Sequence, residues 1–496
     1  MRRGARALAL ALIAHACGAF GCGQILGIHE LPAEGGPCVD TNSASSCGAC
    51  GYACAPATQC CSGSCSTSCA LTVTSVSPAR GPLSGNVWVT IRGTGFATGA
   101  RVWFGRARAP AMRVDAETIR ALAPPNLAGA VDVRVVQGPA TATRGLAFTY
   151  AAYGFKGPWL RVKMTSARNI SPGMSALQDG RVLIAGGDQA NGSKLATADL
   201  YDPATDTVTA TAKPMAGARI AVAQVTLLDG RVLVVGDFYL GSVTPAAELY
   251  DPATDSFSPA VNGPDQPYRS FAALLADGRV LVTTSRSPSP WLFDPATNAF
   301  SAVPNAPDVT GFQPVRMLDG RVLLVTAAAP SWVWDPDAST FSKVGNGPMS
   351  PQGAAQQTPM TLPDGRVLDI TANGTNAIDV FDPTRAASGF QRDPATLKEA
   401  INLPGQVMLG DGTVLVTGGA TQIQQQCATH GWSLTDAVER FDPFNDRVGW
   451  FDSLPDTSAV MSGVTMPDGS VIVAGGWYCG GLPARQWAYV LKGTPP

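Results

Sequence analysis

Histidine is almost missing from this chain: three occur among 496 residues, His15, His29 and His430, and only the last lies in the C-terminal two thirds. A metal centre resting on two imidazoles cannot be assembled there. Charge is scarce as well, at 15% of residues with a formal net charge of −2, so whole-chain electrostatics favours no nucleic-acid partner. Long apolar runs are lacking; the stretch from Ala7 to Ala16 spans only about ten residues, too few to cross a bilayer as a helix. Neither a Gly-x-Ser-x-Gly elbow nor a His-Glu-x-x-His helix appears. What abounds is Gly and Pro, 54 and 39 residues, the profile of a turn-rich β protein.

From residue 170 onward one sentence is repeated. Asp-Gly falls at Asp179, Asp229, Asp277, Asp319, Asp364, Asp411 and Asp468, each time before a run such as Arg-Val-Leu-Ile. Asp-Gly between apolar runs predicts a hairpin with a type I′ turn. An aromatic-Asp-Pro triplet follows in six copies, at Tyr201, Tyr250, Phe293, Trp334, Phe381 and Phe441. Pro cannot donate to a ladder, so the triplet marks the end of a third strand. A short fourth strand follows, as at Thr207-Val208 and Ser256-Phe257. Successive Asp-Gly pairs lie 50, 48, 42, 45, 47 and 57 residues apart, which suits four short strands per propeller blade. The last copy lacks a fourth strand, and an unpaired strand-like piece, 158–162, precedes the first. It is expected to supply the missing outer strand and close a seven-bladed ring.

The expected fold class is all-β, a seven-bladed propeller at 154–491 with a tail at 492–496, preceded by a small sandwich. The Asp-Gly-Arg-Val-Leu and Tyr-Asp-Pro wording, with Gly pairs at Gly186-Gly187, Gly418-Gly419 and Gly475-Gly476, resembles kelch repeats of the galactose-oxidase type. Oxidases of that type hold copper through two His and two Tyr, one Tyr cross-linked to a Cys. One ring histidine does not meet that requirement, so neither the activity nor a cofactor or metal is carried over.

Ahead of the ring the composition changes three times. Residues 1–21, basic at Arg2, Arg3 and Arg6 and then apolar, read as a secretory signal. The texts ending in Cys17 and Cys22 resemble the bacterial lipobox, with Cys22 the preferred lipidation site and a tether at 22–37. The rival is an ordinary cleaved signal. Residues 38–69 hold eight cysteines, Cys38, Cys47, Cys50, Cys54, Cys60, Cys61, Cys65 and Cys69. A segment this short needs cross-links, and export favours disulfides of unassigned pairing over zinc. At 71–150, short strands with Pro78, Gly81, Ile91-Arg-Gly-Thr-Gly-Phe, Phe104-Gly and Pro124-Pro125 resemble the IPT/TIG immunoglobulin-like domain. That resemblance implies a spacer or protein-contact module. Residues 151–157 read as a linker.

Within the ring, one Asp per blade at Asp202, Asp251, Asp294, Asp335, Asp382 and Asp442 reads as a turn-builder, since catalytic residues occur once. Arg181, Arg231, Arg279, Arg321 and Arg366 read as surface partners of the repeating acids. Function is expected where copies differ, in the loops from second to third strands, which share a face with the links between blades. Those links carry Arg168, Arg219, Tyr268 and Arg269, the candidate ligand-binding residues, as a basic mouth for a carboxylate or sugar acid. Cys427 and Cys479, in loops of adjacent blades, are expected to form a disulfide. The reading that results is a non-enzymatic, lipid-anchored surface protein of the bacterial envelope that binds protein or glycan. The alternative is an extracellular carbohydrate-active enzyme using Asp188, Asp237, Glu248 or His430.

Overall fold

The computed structural model describes residues 70–496 except 170–171, 190, 221–222, 238–244, 265–266, 328, 350–358, 371–372, 422–432 and 478–485, and also four short strands between Asn42 and Ser66. The signal, Cys22, the tether, Cys427, Cys479 and His430 lie outside the described residues. In the Cys-rich segment two small hairpins are described, Asn42–Ser43 with Ser46–Cys47 and Gln59–Cys61 with Ser64–Ser66, the second placing Cys60 opposite Cys65 in register.

The sandwich packs a sheet containing Thr72–Ser77, Trp88–Thr94 and Thr118–Leu122 against one containing Arg101–Phe104, Gly129–Gln137 and Ala140–Ala151. Alternate residues point inward: Val89, Ile91, Val102, Phe104, Val133, Val135 and Phe148 are fully buried in one cluster.

The ring is seven sheets, each of four strands at its heart, and each blade is read outward from an inner strand. Blade 1 runs Gly173–Ala176, Val182–Ala185, Ala198–Asp202 and Thr207–Ala210. Second strands such as Val182–Ala185 and Val232–Val235 are buried along their whole length, since each faces blades on both sides. Inner strands line the axis of the ring: Ala223–Thr226 is half-buried throughout, whereas Gln313–Arg316 and Gly405–Met408 are buried at all but their last residue. Blade 7 closes as expected: Gly154–Lys163 pairs antiparallel with Trp487–Thr494, Arg161 opposite Tyr489, and Trp159 packs in the cluster that holds Tyr489. The closing strand is longer than the sequence suggested. It absorbs Gly154 to Gly157 of the linker and pairs with Lys492 to Thr494, which had been read as tail. Blade 5 is enlarged, its outer strand Phe390–Asn402 taking on a further hairpin, Ala420–Thr421 with Ser433–Leu434, contributed by blade 6.

The Asp-Gly turn is not type I′. In all seven copies the glycine N–H reaches the carbonyl three residues back, as Gly180 to Leu177, and the residue at that position donates to the one after glycine, as Leu177 to Arg181. This is a type I turn closed by a left-handed glycine in a bulge, so only Gly needs positive φ, +89° at Gly180. Asp fits the turn because its carboxylate accepts the amide two residues on, Arg181 N to Asp179 Oδ1 at 3.0 Å. The following Arg pairs with this same Asp and not, as expected, with an aromatic-Asp-Pro acid, as Arg181 with Asp179 and Arg321 with Asp319, both at the surface, because the two side chains flank one turn. The aromatic-Asp-Pro acids behave alike: Asp202, Asp251, Asp294, Asp335, Asp382 and Asp442 each accept the amide two residues on, at 2.8 to 2.9 Å.

The sandwich sits on the face that carries the Asp-Gly turns. Leu83 N donates to Gly410 O at 2.9 Å, Arg108 N to Leu318 O at 2.6 Å and Ala111 N to Ala276 O at 3.1 Å. Arg108, almost fully buried, grips Asp337 with two bonds of 2.6 and 3.2 Å. Arg120 reaches Gln178 at 2.6 Å and Arg106 reaches Pro363 O at 3.2 Å, so five of the seven blades are touched.

Candidate ligand-binding face

The opposite face is built from blade links and second-to-third-strand loops. These meet through the backbone: Gly187 N donates to Arg219 O, Asp237 N to Pro267 O and Ser285 N to Tyr268 O. Four third strands place an acid two residues before the aromatic, and each acid holds an incoming link. Asp199 accepts from Thr165, Glu248 from Ala216 N and Gly217 N, Asp379 from Met349 N, and Glu439 from Lys398 N and Glu399 N. Burial lifts the Glu439 carboxyl above its ordinary value, opposed by those two amides.

This arrangement corrects the reading of Arg168 and Arg219. Both side chains are wholly buried. Arg168 pairs with Asp199 at 3.3 Å and donates to Gly186 O and Thr197 O. Arg219 pairs with Glu248 at 2.7 Å and donates to Pro245 O and Ala246 O. Burial pulls both guanidiniums below their ordinary value, against the attraction of the paired carboxylates. They fasten links to loops and present nothing to solvent. The reason is geometric: five N–H donors in a planar fork suit carbonyls left over where a strand ends.

Tyr268 and Arg269 remain at the surface, half-buried between blades 2 and 3. The Arg269 guanidinium lies 5.5 Å from the Tyr268 ring centre and that of Arg286, an exposed residue of the blade 3 loop, lies 5.3 Å from it. Arg269 takes the left-handed conformation at φ +46°, and its amide is held by Asp237 O at 2.7 Å. An aromatic face flanked by two forks can lie against a sugar ring while a guanidinium takes a carboxylate. Sequence reading did not single out Arg286, and its only signal is membership of the variable 285–290 loop.

Two carboxylates of the enzymatic alternative are engaged elsewhere. Glu248 holds Arg219, and Asp237, buried, pairs with Lys194 and accepts Ile220 N at 3.0 Å. Asp188 is buried too, and its carbonyl accepts Asn169 N. Among the described residues no group of three His, Cys, Asp or Glu side chains could hold a metal ion, and no helix is long and apolar enough to cross a membrane. On the docked face a cleft of about 550 Å³ opens between sandwich and ring, lined by Arg101, Arg113, Asp229, Asp277, Arg279 and Asp337 among others. A smaller one of about 210 Å³ lies by Arg106 and Asp382.

Comparison with known proteins assigns one segment. The IPT/TIG domain model matches residues 71–150. No curated protein matches the chain. Among solved structures, a structural-genomics protein of unknown function from Bacteroides thetaiotaomicron is 11% identical with a TM-score of 0.38, covering 86% of this chain and 98% of its own. Virginiamycin B lyase from Staphylococcus aureus is 11% identical with a TM-score of 0.47, covering 68% of this chain and 99% of its own. A catalytically inactive variant of that lyase with Quinupristin is 10% identical with a TM-score of 0.46, over the same shares.

Proposed function

We propose that this protein is an exported binding module, tethered to the bacterial envelope through a lipid on Cys22, whose kelch-like ring offers its variable face to a protein or glycan. One observation carries the reading. Among the described residues the sandwich occupies the face whose turns repeat unchanged and not the face whose loops differ from blade to blade. The Tyr268, Arg269 and Arg286 cluster is the part of that open face suited to an acidic sugar or carboxylate. A glycan array with acidic and neutral sugars, run beside an activity screen, tests this. Binding is expected to prefer acidic glycans and to weaken about tenfold or more in Arg286→Glu. Equal binding by wild type and variant would remove the cluster from the site, and catalytic turnover would favour a carbohydrate-active enzyme. For the anchor, Cys22→Ser is expected to move the protein from the membrane to the soluble fraction.

A further inference from the structure

The seven inner strands carry a single charged side chain among their described residues, Arg316 at the end of Gln313–Arg316. Its position, three residues before Asp-Gly, is the last residue of the inner strand in every blade. The other blades place Ala176, Thr226, Leu274, Thr361, Met408 and Thr465 there. The threonines stitch neighbouring blades together: Thr226 donates to Ala176 O at 2.8 Å, Thr361 to Arg316 O at 2.7 Å and Thr465 to Met408 O.

Arg316 donates one bond, to Arg108 O at 3.1 Å, and no carboxylate of a described residue lies within ion-pair distance. A guanidinium has five N–H donors, so most of this fork is left for something else. Protein surrounds the group, yet water still touches it, and it lines neither cleft on the docked face. Burial first, and then the nearby Arg108 cation, pull its pKa down to about 10. A cation enclosed without a counter-charge is costly, and an anion that brings one removes that cost.

We infer that the axial channel is a blind well, floored by the sandwich, in which Arg316 holds a small oxyanion, a carboxylate or phosphate group, entering from the variable face. The site is separate from the Tyr268 cluster and stands whether or not that cluster binds glycan. Calorimetric titration of the full chain with inorganic phosphate and with acetate, at constant ionic strength, tests it. Arg316→Thr, which installs the residue three other blades carry here, is expected to weaken binding of whichever anion the wild type takes at least about tenfold. Arg447→Thr, exposed at the start of the outer strand Arg447–Ser453 of blade 6, is expected to leave it unchanged. Equal affinity in Arg316→Thr, an equal loss in Arg447→Thr, or no binding of either anion by the wild type would each overturn the site. Should Arg316→Thr fold poorly, Arg316→Lys keeps the charge and is expected to retain measurable binding.

Discussion

Tyr201 and Tyr250 each donate a hydroxyl bond to an Asp five residues on, at 2.7 Å to Asp206 and 2.8 Å to Asp255. Burial, then the neighbouring carboxylates, push both phenols far above their ordinary value, and burial does the same to Tyr150 in the sandwich. A folded-state value raised in this way gives stability that is complete below the unfolded tyrosine pKa of about 10 and is lost as pH climbs past it. Tyrosinate absorbance of these residues should therefore appear only together with unfolding in an alkaline titration; free, reversible ionisation near pH 10 in the folded state would contradict their placement. At the same scale, Glu248→Ala strands the buried Arg219 and should cost about 3–5 kcal/mol in a denaturant melt. The pattern behind these pairs, an acid two residues before the aromatic in Asp199, Glu248, Asp379 and Glu439, stands in the sequence but was not singled out there. Linear spacing does not say that Arg168 and Arg219 turn inward to meet carbonyls at strand ends rather than outward to solvent.

Strands and turns were the most readable level, since each depends on neighbours in sequence. Aromatic-Asp-Pro ended third strands where expected, and Pro158 to Val162 closed the ring. The turn type was misjudged because Asp-Gly suits both a type I′ turn and a type I turn with a glycine bulge, and only the hydrogen bonds distinguish them. Two glycines in equivalent turns of blades 1 and 4 now make unequal predictions. A Cβ at Gly180 meets nothing within 4 Å, so Gly180→Ala should cost only the left-handed conformation, roughly 1–2 kcal/mol. A Cβ at Gly320 would lie 2.8 Å from Arg108 Cδ, so Gly320→Ala should cost more and loosen the sandwich as well. Paired denaturant melts with limited proteolysis of residues 71–150 measure both effects. Equal costs would mean that Arg108 does not pack on that turn.

For the molecule as a whole, the chain's two ends meet in blade 7, so a chain beginning at residue 164 should lose cooperative unfolding by calorimetry, its last sheet left with an open edge. Docking of the sandwich on the ring was not legible in the sequence. It rests on backbone donors and on Arg108 meeting Asp337 from 229 residues away, and no local pattern encodes that meeting. It is nevertheless what decides which face is free to work. The amides of Arg108 and Ala111 bond across this contact, to Leu318 O and Ala276 O, and their hydrogen exchange reports docking directly. In the full chain both should exchange slowly, and Asp337→Ala should accelerate them while Val89, in the sandwich core, stays protected. Fast exchange of Arg108 and Ala111 in the unaltered protein would mean that the sandwich swings free and the Asp-Gly face lies open.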